Sequence, residues 1–150
     1  MKLLVVETRN LWSAALRRWL PEGSPRLCET RSFAECSAEL SRAPTSFVVA
    51  ELTSSNALRL LPQLAQWRRQ WPQSALAVVA ARDMRPWGNL ALEAGAMLVQ
   101  FSPRNLSGLI AAISRHAARF PQPAGNFAGQ LWSELPFDAS QNNASHNRAH

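Results

Sequence analysis

Cysteine, lysine and histidine are scarce in this chain of 150 residues, tyrosine is absent, and these shortages exclude several protein classes. The two cysteines, Cys28 and Cys36, form no CxxC pair and have no histidine cluster nearby, so neither a disulfide framework nor a zinc site is predicted. No apolar run approaches the roughly 20 residues of a membrane span. The first apolar run ends at Glu7, which favours a buried strand over a signal peptide and predicts a cytoplasmic protein without membrane insertion.

The three histidines lie late in the chain, at 116, 146 and 150, and no Ser–His–Asp set or glycine-rich phosphate loop accompanies them. We therefore expect no enzyme activity, no catalytic residues and no cofactor. His116 is interpreted as a cation near the C-terminus of a helix, where it would interact favourably with the helix dipole.

Basic charge is abundant but scattered along the chain. The formal net charge is +6, and of the sixteen basic residues only Lys2 is a lysine. The arginines form no run of five or six, so solvated helix faces account for them and nucleic acid is not an expected partner. One alternative stays open, in which these arginines and the six tryptophans belong to a nucleic-acid-associated regulatory protein.

Short apolar runs alternate with amphipathic segments five times along the chain. The predicted strands are 2–6, 26–30, 46–52, 76–81 and 97–101. Strands that alternate with helices form parallel βαβ units covered on both faces. The pattern therefore predicts an α/β fold with a five-stranded parallel sheet in the order 2-1-3-4-5, a flavodoxin-like (βα)5 three-layer sandwich.

Local signals place the ends and faces of the helices. Asn10 and Ser32 are candidate N-terminal caps, and Gly95 is a candidate C-terminal stop. Residues 82–87 are interpreted as a loop. The apolar faces expected to pack on the sheet are Leu11, Ala15, Leu16, Trp19 and Leu20 in the first helix, and Leu58, Leu61, Leu64 and Ala65 in the third.

The composition changes after residue 120, which predicts one domain over 1–120 followed by a linker and a largely disordered tail over 121–150. An apolar island at 131–137 interrupts the tail. It is interpreted either as a segment that packs back on the domain or as a docking motif. The residues of that motif are Leu131, Trp132, Leu135 and Phe137.

Several motifs in register with the five strands resemble the receiver domain of bacterial response regulators, the CheY-like family. The segment ALEAGA at 91–96, followed by Ser102-Pro103, is similar to the family's Leu-Glu-Ala-Gly-Ala and Lys-Pro pattern. The segments LLVVET at 3–8, FVVAEL at 47–52 and VVAAR at 78–82 fall where the family has its acidic pair, its phosphoacceptor aspartate and its hydroxyl residue. The resemblance covers about residues 2–118.

The departures from that family pattern fall on the phosphorylation site. The resemblance places Glu51 at the acceptor aspartate, Glu7 and Thr8 at the acidic pair, Ala80 at the hydroxyl residue and Ser102 at the lysine. The extra methylene of glutamate moves the carboxylate, and a shift of about 1 Å is costly for in-line transfer. The sequence is therefore interpreted as a degenerate pseudo-receiver that does not accept a phosphoryl group.

Three interpretations of the remaining carboxylates stay open. Glu7 and Glu51 could form a weak Mg²⁺ or Ca²⁺ site, although two carboxylates without a third ligand are a poor one, so no metal is predicted. Glu51 could instead imitate the phosphorylated state as a permanent negative charge. In the third interpretation the site is vestigial.

The remaining functional candidates lie on the surface. The resemblance implies that helix 4, strand 5 and helix 5 hold partners or a second copy of the chain. An exposed tryptophan flanked by arginine is typical of a binding hot spot, although local packing of Trp87 is the alternative. The candidate interaction surface comprises Arg85, Trp87, Phe101, Pro103 and Arg104. We thus expect a phosphorylation-independent protein–protein interaction module in bacterial signal transduction, whose partner is another signalling or regulatory protein or a second copy of itself.

Overall fold

The computed structural model describes residues 1–121, and within them five strands form one parallel sheet. The strands are β1 (Leu3–Val6), β2 (Leu27–Thr30), β3 (Phe47–Leu52), β4 (Ala75–Ala80) and β5 (Leu98–Gln100). The helices are α1 (Leu11–Trp19), α2 (Phe33–Arg42), α3 (Ala57–Gln70), α4 (Gly88–Ala94) and α5 (Ser107–Arg119). The strand order is β2-β1-β3-β4-β5, so the predicted fold and topology are confirmed.

The two faces of the sheet are covered by different helices, because side chains alternate along each strand. On one face Leu3 of β1 and its register partner Phe47 of β3 pack with α1 and α5. On the other face Leu4 and its partner Val48 pack with α2, α3 and α4. Because both faces of the sheet are apolar, the sequences of the strands are nearly continuous hydrophobic runs.

The predicted faces of two helices are correct only in part: Leu16 of α1 and Leu64 of α3 are buried as expected, but other residues of each predicted face are exposed. In α1 the buried aromatic residue is Trp12, which is 2% exposed, whereas Trp19 is 42% exposed. In α3 the sheet is covered by Leu60, Leu64 and Trp67, whereas Leu58 is 82% exposed. Each helix carries apolar residues on more than one side, and packing on the sheet selects one of the possible stripes.

The structure confirms two of the three residues that were predicted to begin or end a helix. The Ser32 hydroxyl accepts a hydrogen bond from the main-chain N–H of Glu35, as expected for an N-terminal cap. Gly95 follows α4 with φ 125°, a conformation that side chains rarely adopt. Asn10 was wrongly predicted as a cap: its backbone is left-handed with φ 56°, and its side chain makes no capping hydrogen bond to α1.

His116 lies near the end of α5, as expected, but it is a core residue and not a surface cation. Its ring is buried, lies between Phe47 and Phe120, and its Nε2 is 2.7 Å from the carbonyl oxygen of Thr45. Burial lowers the pKa of His116 below its ordinary value of 6.5, partly offset by the Thr45 carbonyl. The helix-dipole interpretation of this histidine is therefore wrong at neutral pH.

The segment predicted as a loop before α4 is a short 3-10 helix over Arg82–Trp87. Met1–Phe120 forms one unit by its internal contacts. No helix among the described residues has the length and apolar character needed to cross a membrane. The predicted tail, including Leu131, Trp132, Leu135 and Phe137, lies outside the described residues.

Candidate functional site

A recess of about 340 Å³ opens at the carboxyl ends of β1, β2 and β3. Sheets of this type bind ligands beyond the carboxyl ends of their strands, where the strand order reverses, and that reversal lies between β1 and β3. The side chains that line it come from three loops and from the first turn of α3. Glu7, Thr8 and Arg9 follow β1, Arg31 and Ser32 follow β2, and Glu51, Thr53, Ser54, Ser55, Asn56 and Arg59 lie at the end of β3 and the start of α3.

Glu7 is the most buried charged side chain of this recess, at 4% exposure. Its two carboxylate oxygens accept hydrogen bonds from the main-chain N–H of Trp12 at 2.9 Å and of Ser13 at 2.8 Å. These N–H groups belong to the first turn of α1, where the helix itself supplies no acceptor. Glu7 is thus the side chain that caps α1, and its negative charge is offset by the positive end of that helix.

Glu51 is half-buried beside Glu7, and one of its carboxylate oxygens lies 3.5 Å from the main-chain nitrogen of Thr8. Burial raises the pKa of Glu51, and the nearby Glu7 carboxylate acts in the same direction. The Thr8 N–H and the Arg9 guanidinium partly oppose that rise in pKa. Protonation of this carboxyl group is therefore easier than that of an exposed glutamate.

The structure brings together three of the five positions assigned to the degenerate phosphorylation site. Glu7, Thr8 and Glu51 line the same recess, whereas Ala80 and Ser102 are not among its lining residues. Ala80 is fully buried at the end of β4. The Ser102 hydroxyl accepts a hydrogen bond from the main-chain N–H of Arg104 at 3.3 Å, within the loop after β5.

The same recess offers few ligands for a metal ion. Within residues 1–121, no group of three or more acidic, histidine or cysteine side chains lies close enough to hold one. Each Glu7 oxygen already accepts one hydrogen bond from α1, and the one other acidic side chain that lines the recess is Glu51.

Sequence reasoning missed the three arginines of this recess, Arg9, Arg31 and Arg59. All three are exposed, and Arg31 reaches back so that its Nη1 lies 3.5 Å from the carbonyl oxygen of Thr8. Arg31 comes directly after β2, and Arg9 comes three residues after the end of β1. That position was the available signal, because residues after parallel strands converge at one edge of the sheet.

Part of the predicted interaction surface forms a contact between the 3-10 helix and β5. The guanidinium carbon of Arg85 lies 5.7 Å from the centre of the Phe101 ring, a cation–π arrangement. Trp87 is half-buried and packs against the core on the α4 side, so local packing accounts for a large part of its surface. A Cβ on Gly88 would lie 3.1 Å from Phe101, so this glycine permits the ring to pack closely.

Pro103 and Arg104, the other two residues of the predicted surface, lie elsewhere. They line a recess against α1 together with Leu11 and Trp19, which are 51% and 42% exposed. The five candidate residues therefore belong to two separate surfaces, one at α4 and β5 and the other at α1 and the loop after β5.

No protein-family model matches the sequence, and no curated protein matches it. Several solved structures do match. A CheY-like protein (TadZ) from Pseudomonas aeruginosa PAO1 has a TM-score of 0.60 at 15% identity, over 77% of this chain and 99% of that one. The receiver domain of NtrC4 from Aquifex aeolicus has a TM-score of 0.62 at 16% identity, over 80% and 99%.

The chain has the receiver fold of response regulators. A further match is a structure described as an atypical orphan response regulator with a phosphorylation-independent regulatory mechanism, with a TM-score of 0.64 at 18% identity, over 80% of this chain and 97% of that one. Within this fold, Glu51 is the residue before the last of β3, Glu7 follows β1 directly and Ser102 lies two residues after β5. The fold implied by the resemblance to receiver domains is thereby confirmed.

Proposed function

We propose that this chain is a pseudo-receiver, a phosphorylation-independent protein–protein interaction module of bacterial signal transduction or regulation, acting in the cytoplasm. The observation that carries the proposal is the engagement of Glu7 with the main chain of α1. Aspartyl phosphorylation needs a divalent cation held between carboxylates. With Thr8 in place of a second acid, and with each Glu7 oxygen already accepting a helix N–H, the recess would hold such a cation more weakly than a pair of free carboxylates would.

Comparison with a described protein supports the same conclusion. One structure with this fold is described as working through a phosphorylation-independent regulatory mechanism. Receiver folds therefore exist in which regulation does not require a phosphoryl group, and the residues of this recess fit that category.

For the binding surface, we propose the face formed by Arg85, Trp87 and Phe101. Aromatic residues and arginine are the side chains that contribute most binding energy at protein interfaces. The Arg85 side chain is exposed and lies over Phe101, so a partner would meet a preformed cationic and aromatic pair. Leu90 of α4, 47% exposed, extends the apolar part of this face. The partner would be another signalling protein or a second copy of this chain.

The absence of phosphorylation is tested by incubating the full chain with Mg²⁺ and either acetyl phosphate or beryllofluoride. We expect no change in intact mass with acetyl phosphate and no shift in the amide spectrum with beryllofluoride. A stoichiometric phosphoryl adduct on any carboxylate would refute the proposal.

The binding surface is tested with a charge-reversal pair. Arg85→Glu reverses an exposed charge on the proposed face, and Arg69→Glu reverses an exposed charge on α3 as the control. Sedimentation velocity measures self-association, and a quantitative pull-down measures a partner encoded beside this gene. We expect Arg85→Glu alone to weaken association; equal effects of both variants would argue against this face.

A further inference from the structure

We propose that the recess at the ends of β1, β2 and β3 binds, without covalent chemistry, a small phosphate ester that carries hydroxyl groups, such as a sugar phosphate. The inference goes beyond the proposed function, because it concerns a ligand in the recess and not a partner on the surface of α4 and β5.

The first argument is the charge of the recess. Arg9, Arg31 and Arg59 reach it from three separate segments of the chain. Within residues 1–121, none of the three forms an ion pair with a carboxylate at 4.0 Å or less. Guanidinium groups bind phosphate oxygens in a bidentate manner, and unpaired ones need no partner to be displaced first.

The second argument concerns the acidic side chains that would oppose an anion. The charge of Glu7 is offset by its hydrogen bonds to the N-terminus of α1. Glu51 is half-buried, whereas Arg9, Arg31 and Arg59 are exposed. A ligand that places a hydroxyl against Glu51 and a phosphate among the arginines would form favourable contacts with the carboxyl group and with the guanidinium groups.

The third argument is a comparison with another arginine-rich recess of the same chain. A recess of about 620 Å³ at the opposite end of the sheet is also lined by three arginines, Arg68, Arg115 and Arg119. It lies at the C-terminal ends of α3 and α5, whose partial negative charges weaken the attraction for an anion. The first recess lies at the N-terminal ends of α2 and α3, where the partial charges are positive.

Size and polarity select a small ligand. A volume of about 340 Å³ falls at the lower end of the range for small-molecule sites, roughly 300–1,000 Å³. The hydroxyls of Thr8, Ser54 and Ser55 also line the recess and can bond either to phosphate oxygens or to ligand hydroxyls.

The experiment is isothermal titration calorimetry of the full chain with ribose 5-phosphate, at low salt. Ribose and inorganic phosphate are titrated as the two halves of the probe. We expect saturable binding of ribose 5-phosphate at one site, and weaker binding of each half. Failure of ribose 5-phosphate to bind, or binding of inorganic phosphate with equal affinity, would overturn the proposal.

Matched variants locate the site. Arg9→Gln and Arg59→Gln should each weaken binding about tenfold, the effect of removing one charge-assisted hydrogen bond. Arg115→Gln removes the same charge at the other recess and should leave the affinity unchanged.

All three side chains are exposed, and circular dichroism confirms that each variant is folded. Equal weakening by Arg115→Gln would show a diffuse charge effect and refute the site. A phosphorylation adduct would refute the pseudo-receiver function and leave this binding result unaffected.

Discussion

The carboxylate of Glu7 accepts a hydrogen bond from the main-chain N–H of Trp12, with an N···O distance of 2.9 Å. This contact joins the end of β1 to the first turn of α1. It explains how an acidic residue at 4% exposure is tolerated, because the helix supplies the hydrogen-bond donors that water would otherwise provide. It also occupies one lone pair on each of the two Glu7 oxygens, which weakens Glu7 as a ligand for a metal ion.

Replacing Glu7 should destabilise the fold. Glu7→Ala leaves the N–H groups of Trp12 and Ser13 without an acceptor, and we expect a loss of about 1–3 kcal/mol of unfolding free energy. Glu7→Gln keeps one acceptor oxygen and should lose less. Urea denaturation followed by circular dichroism measures both, with the exposed Glu22→Ala as the control. An unchanged midpoint for Glu7→Ala would contradict the capping role.

The free energy of unfolding should depend on pH because the Glu51 carboxyl group ionises. Its pKa in the folded state is raised above the ordinary value of 4.5, so the folded state favours the protonated form. As the pH rises from 4.5 through the folded-state pKa, the carboxyl group ionises in the recess and folding stability decreases. Glu51→Gln cannot ionise. We expect it to be more stable than the original chain near neutral pH, with a difference that shrinks below about pH 4.

The comparison is made by urea denaturation of both proteins at several pH values. A difference between them that stays constant with pH would indicate that the Glu51 carboxyl group has its ordinary pKa in the folded state.

His116 should affect stability in a separate pH range. Its pKa is lowered below 6.5, so the unfolded chain binds the proton more readily than the folded one. The contribution of neutral His116 to the free energy of unfolding is fully present above pH 6.5, and it is lost as the pH falls through the folded-state pKa of this histidine. His116→Gln keeps a donor for the Thr45 carbonyl and should flatten this decrease. An NMR titration of the His116 ring gives the folded-state pKa directly, and a value above 6.5 would refute the prediction.

The two tryptophans of α1 form a matched pair for testing the orientation of that helix. Trp12 is 2% exposed and Trp19 is 42% exposed. We expect Trp12→Ala to cost about 3–5 kcal/mol of unfolding free energy, the usual range for a buried aromatic residue. Trp19→Ala should cost less than about 1 kcal/mol. Equal costs, measured by urea denaturation, would mean that α1 packs through a different face.

The faces of α1 and α3 illustrate why burial was harder to predict than secondary structure. In α1, Leu11 and Trp12 are adjacent and therefore lie on different sides of the helix. Further apolar residues follow each of them at helical spacing, so the sequence contains two candidate apolar faces. Periodicity alone does not rank the two stripes. The ranking comes from the sheet, because Trp12 belongs to the same buried cluster as Leu3, Val5 and Phe47.

In the candidate site, too, some features were predicted from the sequence and others were not. The sequence placed Glu7, Thr8 and Glu51 at the ends of strands, and the structure does bring them into one recess. The capping role of Glu7 was not predicted, since Asn10 is the usual residue type at that position. The left-handed backbone of Asn10 prevents its side chain from capping α1 and leaves the N–H groups of the helix to Glu7.

By itself, the sequence determined the alternation of strands and helices, the parallel sheet that this alternation implies and the residues that stand at the ends of its strands. These follow from local patterns: apolar runs, turn residues and motifs at fixed spacing. Only the tertiary structure decided which apolar stripe is buried, what Glu7 bonds to and where the arginines meet. Arg9, Arg31 and Arg59 are far apart along the chain, and only parallel strand pairing brings their loops to one edge of the sheet.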